Sequence, residues 1–307
     1  MKIAIIGTNG MLSKALTQLF YANGHVVDVY GLERPVDYPC TAYVPCNLLK
    51  DTLHYDEMIK YEAIIYAAGA GVQAALSTPS ELMYALNVTA PISITLGLKK
   101  AMYNGIFISF GSYMEVGITS HEAHAFTEDE IVCSSYPVTN DYALSKRLFS
   151  RYMKDFTAPF TYWHFMLPNM FSNNDMQPGT RLIPYIIQCI QDIRTGKEVH
   201  PSFSAGTQIR QFIQLEELFD VITKAYHKQL HSGIYCVGGG EVMSIRSLIQ
   251  RIFAYYHINC LEEWFGKEAR RDNDIPYLAL NGDKLHGILS FMPEKQIENL
   301  LCSNGLN

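Results

Sequence analysis

The sequence predicts an α/β protein in which a doubly wound parallel sheet carries helices on both faces and a smaller mixed domain is joined to it. Three observations carry that expectation. Short apolar runs such as Ile3-Ala4-Ile5-Ile6 and Ala63 to Ala67 alternate with longer segments of helical periodicity through the first half. A glycine-bearing turn separates the first run from the first helical segment. Beyond Leu167 the alternation gives way to loops and scattered helices. The chain has 307 residues, 48% hydrophobic and 18% charged, enough to bury a large core without staples. That length predicts about two domains.

Ile3 to Ile6 reads as a strand buried on both faces, because four consecutive apolar residues leave no side for water. Met11 to Tyr21 reads as a helix with Leu12, Leu16, Leu19 and Phe20 on one face, and Asn23-Gly24 ends it. Val26 to Tyr30 is the second strand, Ala42-Tyr43-Val44 the third, and Ala63 to Ala67 the fourth. Ser80 to Tyr103 is helical, with Pro91 at a bend or first turn. Gly105 to Phe110 is the fifth strand, Tyr142 to Phe156 a helix, and Phe160 to Leu167 the sixth strand. Asn169 to Thr180, rich in asparagine with a proline and a glycine, reads as a loop. A helix over Leu182 to Thr195, a strand over Gln208 to Gln214 and a helix over Leu215 to Gln229 follow. Gly238-Gly239-Gly240 turns into a helix from Ser244 to Tyr256, and the tail reads as irregular. The first domain is expected to hold residues 1–167 with a return near 207–236. The second is expected to hold 168–206 and 237–307.

Twenty-four basic residues against thirty acidic ones give a net charge of −6, which argues against nucleic acid or an anionic membrane as partner. Seven cysteines without a C-x-x-C spacing argue against a disulfide framework or a zinc ribbon. The opening MKIAIIG is too short an apolar run for a signal peptide, and no stretch is long enough for a membrane span. A cytoplasmic location is therefore expected. His121 and His124 lie near Glu122 and Glu128, but that segment reads as a loop over the site, and no metal is expected.

Gly7-Thr8-Asn9-Gly10-Met11-Leu12-Ser13 stands between the first strand and the first helix. Gly7 permits a tight turn, and Gly10 lets the backbone approach a pyrophosphate. The helix start adds free N–H groups and a partial positive charge. The spacing is G-x-x-G-x-x-S, with Ser13 where a third small residue allows close packing. Taken alone, the loop also fits an ordinary glycine turn. Where an acid usually holds the adenine ribose, at the end of the second strand, stands Gly31, followed by Glu33 and Arg34. Arg34 beside a missing carboxylate favours NADP(H); Glu33 reaching the ribose would select NAD(H).

Tyr142 and Lys146 lie four apart and share one helix face. A neighbouring ammonium favours phenolate, so Lys146 is expected to lower the Tyr142 pKa and let it exchange a proton near neutrality. Arg181 and Arg210 are candidates to grip a nucleotide diphosphate.

Taken in order along the chain, these features resemble the extended short-chain dehydrogenase/reductase family, which includes nucleotide-sugar epimerases, dehydratases and ketoreductases. Gly7-x-x-Gly10-x-x-Ser13 matches the cofactor loop, and Tyr66-Ala67-Ala68-Gly69 is similar to the turn after the fourth strand. Asn87-Val88 resembles the asparagine of the next helix, and Phe107 to Ser112 the strand that delivers the catalytic Ser/Thr. Pro137 and Tyr142-x-x-x-Lys146 match the signature helix. Leu167-Pro168-Asn169, Arg210-Gln211-Phe212-Ile213 and Val237 to Gly240 with Ser244-Ile245 resemble later family segments. The resemblance runs from residue 1 to about 255.

The resemblance implies a Rossmann-like first domain and roles for the matched positions. Tyr142 is the general acid/base, Lys146 lowers its pKa and binds the nicotinamide ribose, and Ser112 hydrogen-bonds the sugar oxygen. Gly7, Thr8, Asn9, Gly10, Met11, Leu12, Asn47, Leu48, Ala67, Ala68, Gly69 and Asn87 are implied cofactor contacts, with Arg34 at the adenine ribose. Tyr113, Asn169, Arg181 and Arg210 are the expected substrate contacts. Two departures stand out: Met166 replaces an arginine often found before the loop asparagine, and Asn47 replaces an acid after the third strand. The chemistry agrees, since a hydride reaching a carbonyl carbon creates an alkoxide that Ser112 and Tyr142 would stabilise.

The family's 4,6-dehydratases carry an Asp-Glu pair directly after the catalytic Ser/Thr. Tyr113-Met114 stand there, and Glu115 is expected to point away. Gly111 to Gly117 instead resembles the G-S-x-x-E-Y-G run of keto-sugar reductases, with valine for tyrosine. The expected activity is NAD(P)-dependent reduction of a 4-keto-6-deoxy nucleoside-diphosphate sugar, with epimerisation on tightly held NAD as the alternative. A dinucleotide sensor without turnover is a third class, and the intact trio argues against it. A homodimer through the helices at 80–103 and 142–156 is also implied.

Overall fold

A computed structural model describes residues 1–71, 77–172, 181–270 and 275–302. Its strands, in chain order, are β1 (Lys2–Ile6), β2 (Val26–Gly31), β3 (Ala42–Pro45), β4 (Ala63–Tyr66), β5 (Ile106–Ser112) and β6 (Ala125–Phe126). They continue with β7 (Thr161–Leu167), β8 (Asn169–Phe171), β9 (Ile209–Gln214), β10 (Gly233–Cys236), β11 (Glu241–Ser244) and β12 (Tyr277–Leu280). The helices are α1 (Met11–Ala22), α2 (Tyr55–Met58), α3 (Ser80–Tyr84), α4 (Ala90–Lys100), α5 (Glu128–Val132) and α6 (Asp141–Asp155). After them come α7 (Leu182–Arg194), α8 (Leu215–His227), α9 (Ile245–Tyr255), α10 (Asp283–Leu289) and α11 (Ile297–Cys302).

Among the described residues seven strands form one sheet in the order β10-β7-β5-β4-β1-β2-β3, every neighbouring pair parallel. The crossover direction reverses between β1 and β4, so the loops leaving their carboxyl ends part and open a crevice. β1 and β4 are apolar on both faces because both faces are covered. Leu16 and Phe20 of α1 and Leu218 and Ile222 of α8 pack on one side. Met58 of α2, Ile94 and Leu98 of α4 and Phe149 and Met153 of α6 pack on the other. This is the expected Rossmann-like arrangement.

A second, mixed sheet runs β11-β9-β12-β6, with β8 also paired to β9. Its own core joins Phe212 to Ile186, Ile252, Phe253, Trp264 and Leu300. Several expectations are corrected here. The strand over 209–214 belongs to this sheet, so the return to the parallel sheet consists of α8 and β10. The tail holds β12, α10 and α11 rather than irregular chain. Of the expected loop over 169–180, Asn169–Phe171 pairs with β9 as a strand, and residues 173–180 lie outside the described residues. The expected helix over 80–103 stops at Lys100, and Ala85–Thr89 widen into a π-turn. Pro91 explains the turn: it offers no N–H to the carbonyl four residues back, and its ring needs the extra room.

Candidate active site

Ser112 ends β5 and is 9% exposed. It also caps the tight turn Tyr113–Val116. Its Oγ accepts the Met114 N–H at 3.3 Å, while the Glu115 carboxylate accepts the Ser112 N–H at 2.7 Å. This reciprocal capping fixes the serine at the strand's carboxyl end. Tyr142 and Lys146 stand one turn apart on α6, whose start is held by Asn140 accepting the Ala143 N–H at 2.9 Å. Lys146 Nζ donates to the Phe110 carbonyl at 2.9 Å, tying the helix to the strand that carries Ser112.

These three residues line one cavity of about 570 Å³. Gly10, Met11 and Leu12 close it at the first loop, and Ala67, Ala68 and Gly69 at the β4 turn. Tyr113, Asn169 and Arg181 complete the set of expected residues that the structure brings together there. A larger groove of about 710 Å³ beside Lys2, Asp28 and His54 shares no residue with it and contains none of the trio.

The first loop is built for close approach. Gly7 has φ +119°, and a Cβ on it would stand 2.8 Å from the Ala68 nitrogen and 2.9 Å from the Ala67 carbonyl carbon. Only glycine lets the β1 and β4 turns meet. Ser13 donates its hydroxyl to the Thr8 carbonyl at 2.8 Å, so the unusual third residue braces the loop. The end of β2 is equally tight: a Cβ on Gly31 would press on the Thr8 side chain. Glu33 there accepts from Asn9 Nδ2 at 3.2 Å, and Arg34 lies over the Tyr43 ring.

Other expected contacts lie outside the cavity wall. Gly7, Thr8 and Asn9 do not line it, and Asn47 and Leu48 follow β3, where Asn47 organises a turn by accepting the Leu49 N–H. Asn87, in the π-turn, is a brace: it accepts the Ala70 N–H at 3.0 Å and donates to the Ala70 carbonyl and Ser145 Oγ, each at 2.9 Å. Arg210 is buried in the second sheet and donates to the Ile209 and Ile275 carbonyls. It does not line the cavity, whereas Arg181 does, with Nη1 2.6 Å from Met11 Sδ at the start of α1.

Burial dominates the electrostatics of the pair. Burial pushes the phenol up to about 12, the Glu115 charge adds to the rise, and the Ser112 hydroxyl opposes it. Burial also lowers the Lys146 pKa, with Glu115 working against that shift. Glu115 itself is fully buried. Burial holds its carboxyl well above the usual range, more than the Ser150 hydroxyl, the Ser112 amide and the Lys146 and Arg147 cations pull it back. Sequence reasoning turned Glu115 away from the cavity but missed where it goes. It also passed over His164, a lone imidazole in an apolar strand, which was the available signal.

A family model, the NAD dependent epimerase/dehydratase family, matches residues 3–238. No curated protein matches the chain. Among solved structures, a dTDP-glucose 4,6-dehydratase from Streptomyces venezuelae, DesIV with NAD bound, is similar at TM-score 0.81 and 17% identity, covering 99% of this chain and 95% of that one. MoeE5 in complex with UDP-glucuronic acid and NAD is similar at TM-score 0.77 and 15% identity, covering 98% and 97%. A UDP-glucose 4-epimerase from Thermotoga maritima with UDP-glucose is similar at TM-score 0.75 and 15% identity, covering 98% and 96%. At these identities the structures speak for the fold, and the family model, which spans β1 through β10, speaks for descent. The chain belongs to the NAD-dependent epimerase/dehydratase family.

Proposed function

We propose that the protein reduces a 4-keto-6-deoxy sugar carried on a nucleoside diphosphate, with a nicotinamide dinucleotide as hydride donor. The polar inventory of the cavity carries this reading. Its described lining offers Ser112, the phenols of Tyr113 and Tyr142, the Lys146 ammonium, the Asn169 amide and the Arg181 guanidinium, and no carboxylate or imidazole. A 4,6-dehydratase must also take a proton from C5 and protonate the hydroxyl leaving C6, which calls for further acid and base groups. A reductase asks for no more than the trio.

The residues at the first loop fit a dinucleotide. The Gly7 turn, the exposed amides at the start of α1 and Arg181 beside Met11 together suit a diphosphate. Bound there, the dinucleotide supplies the hydride. The chain's own part is to polarise and protonate. Ser112 and Tyr142 donate to the substrate carbonyl oxygen, and Tyr142 gives up its proton as negative charge develops there. A phenol held well above its ordinary pKa is protonated at neutral pH, which suits a donor. Lys146, anchored to Phe110, keeps a positive charge beside the reacting centre.

At the end of β2, Glu33 is engaged with Asn9, and Arg34 stands ready for a 2′-phosphate, so we infer a preference for NADP(H). The related structures with NAD bound set the competing expectation. We further infer that the sugar nucleotide lies between the parallel sheet and the segments 168–206 and 237–302. A homodimer is inferred through α4 and α6, where Leu96 and Leu148 are exposed. The deciding assay offers a 4-keto-6-deoxy sugar nucleotide with reduced cofactor and follows nicotinamide absorbance. Stoichiometric oxidation is expected. Interconversion of two sugar nucleotides without net cofactor consumption would assign an epimerase instead.

A further inference from the structure

Behind the cavity wall lies a polar cluster that the reaction above does not use. Glu115 is completely buried, although Tyr113 and Met114 of the same turn line the cavity. One carboxylate oxygen accepts the Ser112 amide, and Oε2 has no hydrogen-bond partner among the described residues. Beside it His164, also fully buried, bridges Ser109 Oγ at 2.9 Å and Ser150 Oγ at 2.8 Å. Gly111 makes this possible: a Cβ there would stand 2.7 Å from Glu115 Oε1 and 2.8 Å from His164 Nε2. An interior carboxyl with an unmet oxygen is costly, and an amide or an apolar side chain would serve stability better.

We propose that Glu115 is a positioning residue whose charge sets the proton affinity of the Tyr142–Lys146 pair. The proposal rests on the reading of that pair as the acid–base centre. The groups around Glu115 are Tyr142, Lys146 and Arg147 from α6, His164 from β7 and Cys236 from β10. From α5 and β12 the turn meets buried apolar side chains such as Ile131 and Leu278. The carboxylate acts in one direction on both partners. It raises the Tyr142 pKa and opposes the lowering of Lys146, so both stay protonated. His164 is kept neutral by burial, so from that side the carboxylate meets no opposing charge. The site is thereby held in the form that can deliver a proton to a nascent alkoxide.

Glu115→Gln removes the charge while keeping the size and an acceptor for the Ser112 amide. Glu115→Asp keeps the charge and shortens the reach. Tyrosinate absorbance, with Tyr142→Phe subtracted in each background, isolates the Tyr142 titration without any substrate. Glu115→Gln is expected to lower it by about one pH unit or more, the scale of a close unscreened charge. Glu115→Asp is expected to stay near wild type. The alkaline limb of the kcat/KM profile should move down with the same variant. An unshifted Tyr142 titration in Glu115→Gln overturns the proposal, as does Glu115→Asp behaving like Glu115→Gln. A shifted titration alongside full activity of Tyr142→Phe keeps the proposal and overturns the assignment of Tyr142 as proton donor. If Glu115→Gln does not fold, carboxyl-carbon NMR of the wild type decides. A glutamate titrating above the usual range and raised further by Lys146→Met is expected; none doing so overturns it.

Discussion

At the scale of single residues, the trio and the two arginines separate cleanly. Tyr142→Phe should lower turnover by about 10² or more, the usual effect of removing a general acid, with cofactor affinity little changed. Near-full activity on every candidate substrate would remove Tyr142 from the mechanism. Arg210 is the first anchor candidate in the sequence and Arg181 the second, yet Arg181 lines the cavity and Arg210 holds backbone carbonyls beside the second sheet. Arg181→Ala should raise KM or cofactor Kd by the loss of a charge-assisted contact of about 1.5–3 kcal/mol. Arg210→Ala should instead cost about 1–3 kcal/mol of stability, because a buried carbonyl and a half-buried one lose their donor. Denaturation midpoints and KM measured on both variants distinguish these outcomes. The Arg210-Gln211-Phe212-Ile213 segment was recognisable from its letters, but letters do not say which way a guanidinium turns. Glu115 was legible as pointing away; that it turns into a buried cluster with His164 depends on β5 and β7 lying side by side, which no local pattern encodes.

At the scale of elements, legibility followed burial. β1 and β4 are buried on both faces and appear as apolar runs, and β5 and β7 as apolar runs interrupted by Ser109 and by His164, so composition locates them. β6, β8, β11 and β12 span two to four residues each, and their partners lie far along the chain, as with Ala279 beside Ala125. Such strands exist because of pairing, and pairing leaves little periodicity to read. The end of β2 makes its own prediction. Gly31 has no room for a side chain against Thr8, so no carboxylate can stand there, and Arg34 follows, stacked over the Tyr43 ring. NADPH should therefore bind with a lower Kd than NADH, by direct titration of the two. A clear preference for NADH would hand the role to Glu33.

At the scale of the whole molecule, stability should carry the mark of two buried groups with opposite signs. Burial holds His164 near pKa 3 in the folded chain, against 6.5 unfolded. Between those values the unfolded chain takes a proton that the folded chain refuses, so stability rises with pH there by about 1.4 kcal/mol per unit. Glu115 is raised instead, so its contribution is present below its unfolded value of 4.5 and is lost as pH rises through its folded value. The two effects oppose each other between 4.5 and 6.5. Thermal melts should show Glu115→Gln losing stability as pH falls from 6.5, while the wild type stays nearly level down to about 4.5. Coincident profiles would contradict this. The ladder between β5 and β7 has a consequence of another kind. It runs unbroken from Ile106 opposite Thr161 to Ser112 opposite Leu167, with β4 bonded along the other edge of β5 from Ile106 to Ser109. Amide protons in such a ladder exchange with deuterated solvent only when the whole molecule opens, whereas β3, paired along one edge, frays locally. Ser112 thus ends the strand that is expected to open last. In rising denaturant, activity and fold should disappear as one event, with no inactive native-like form preceding it.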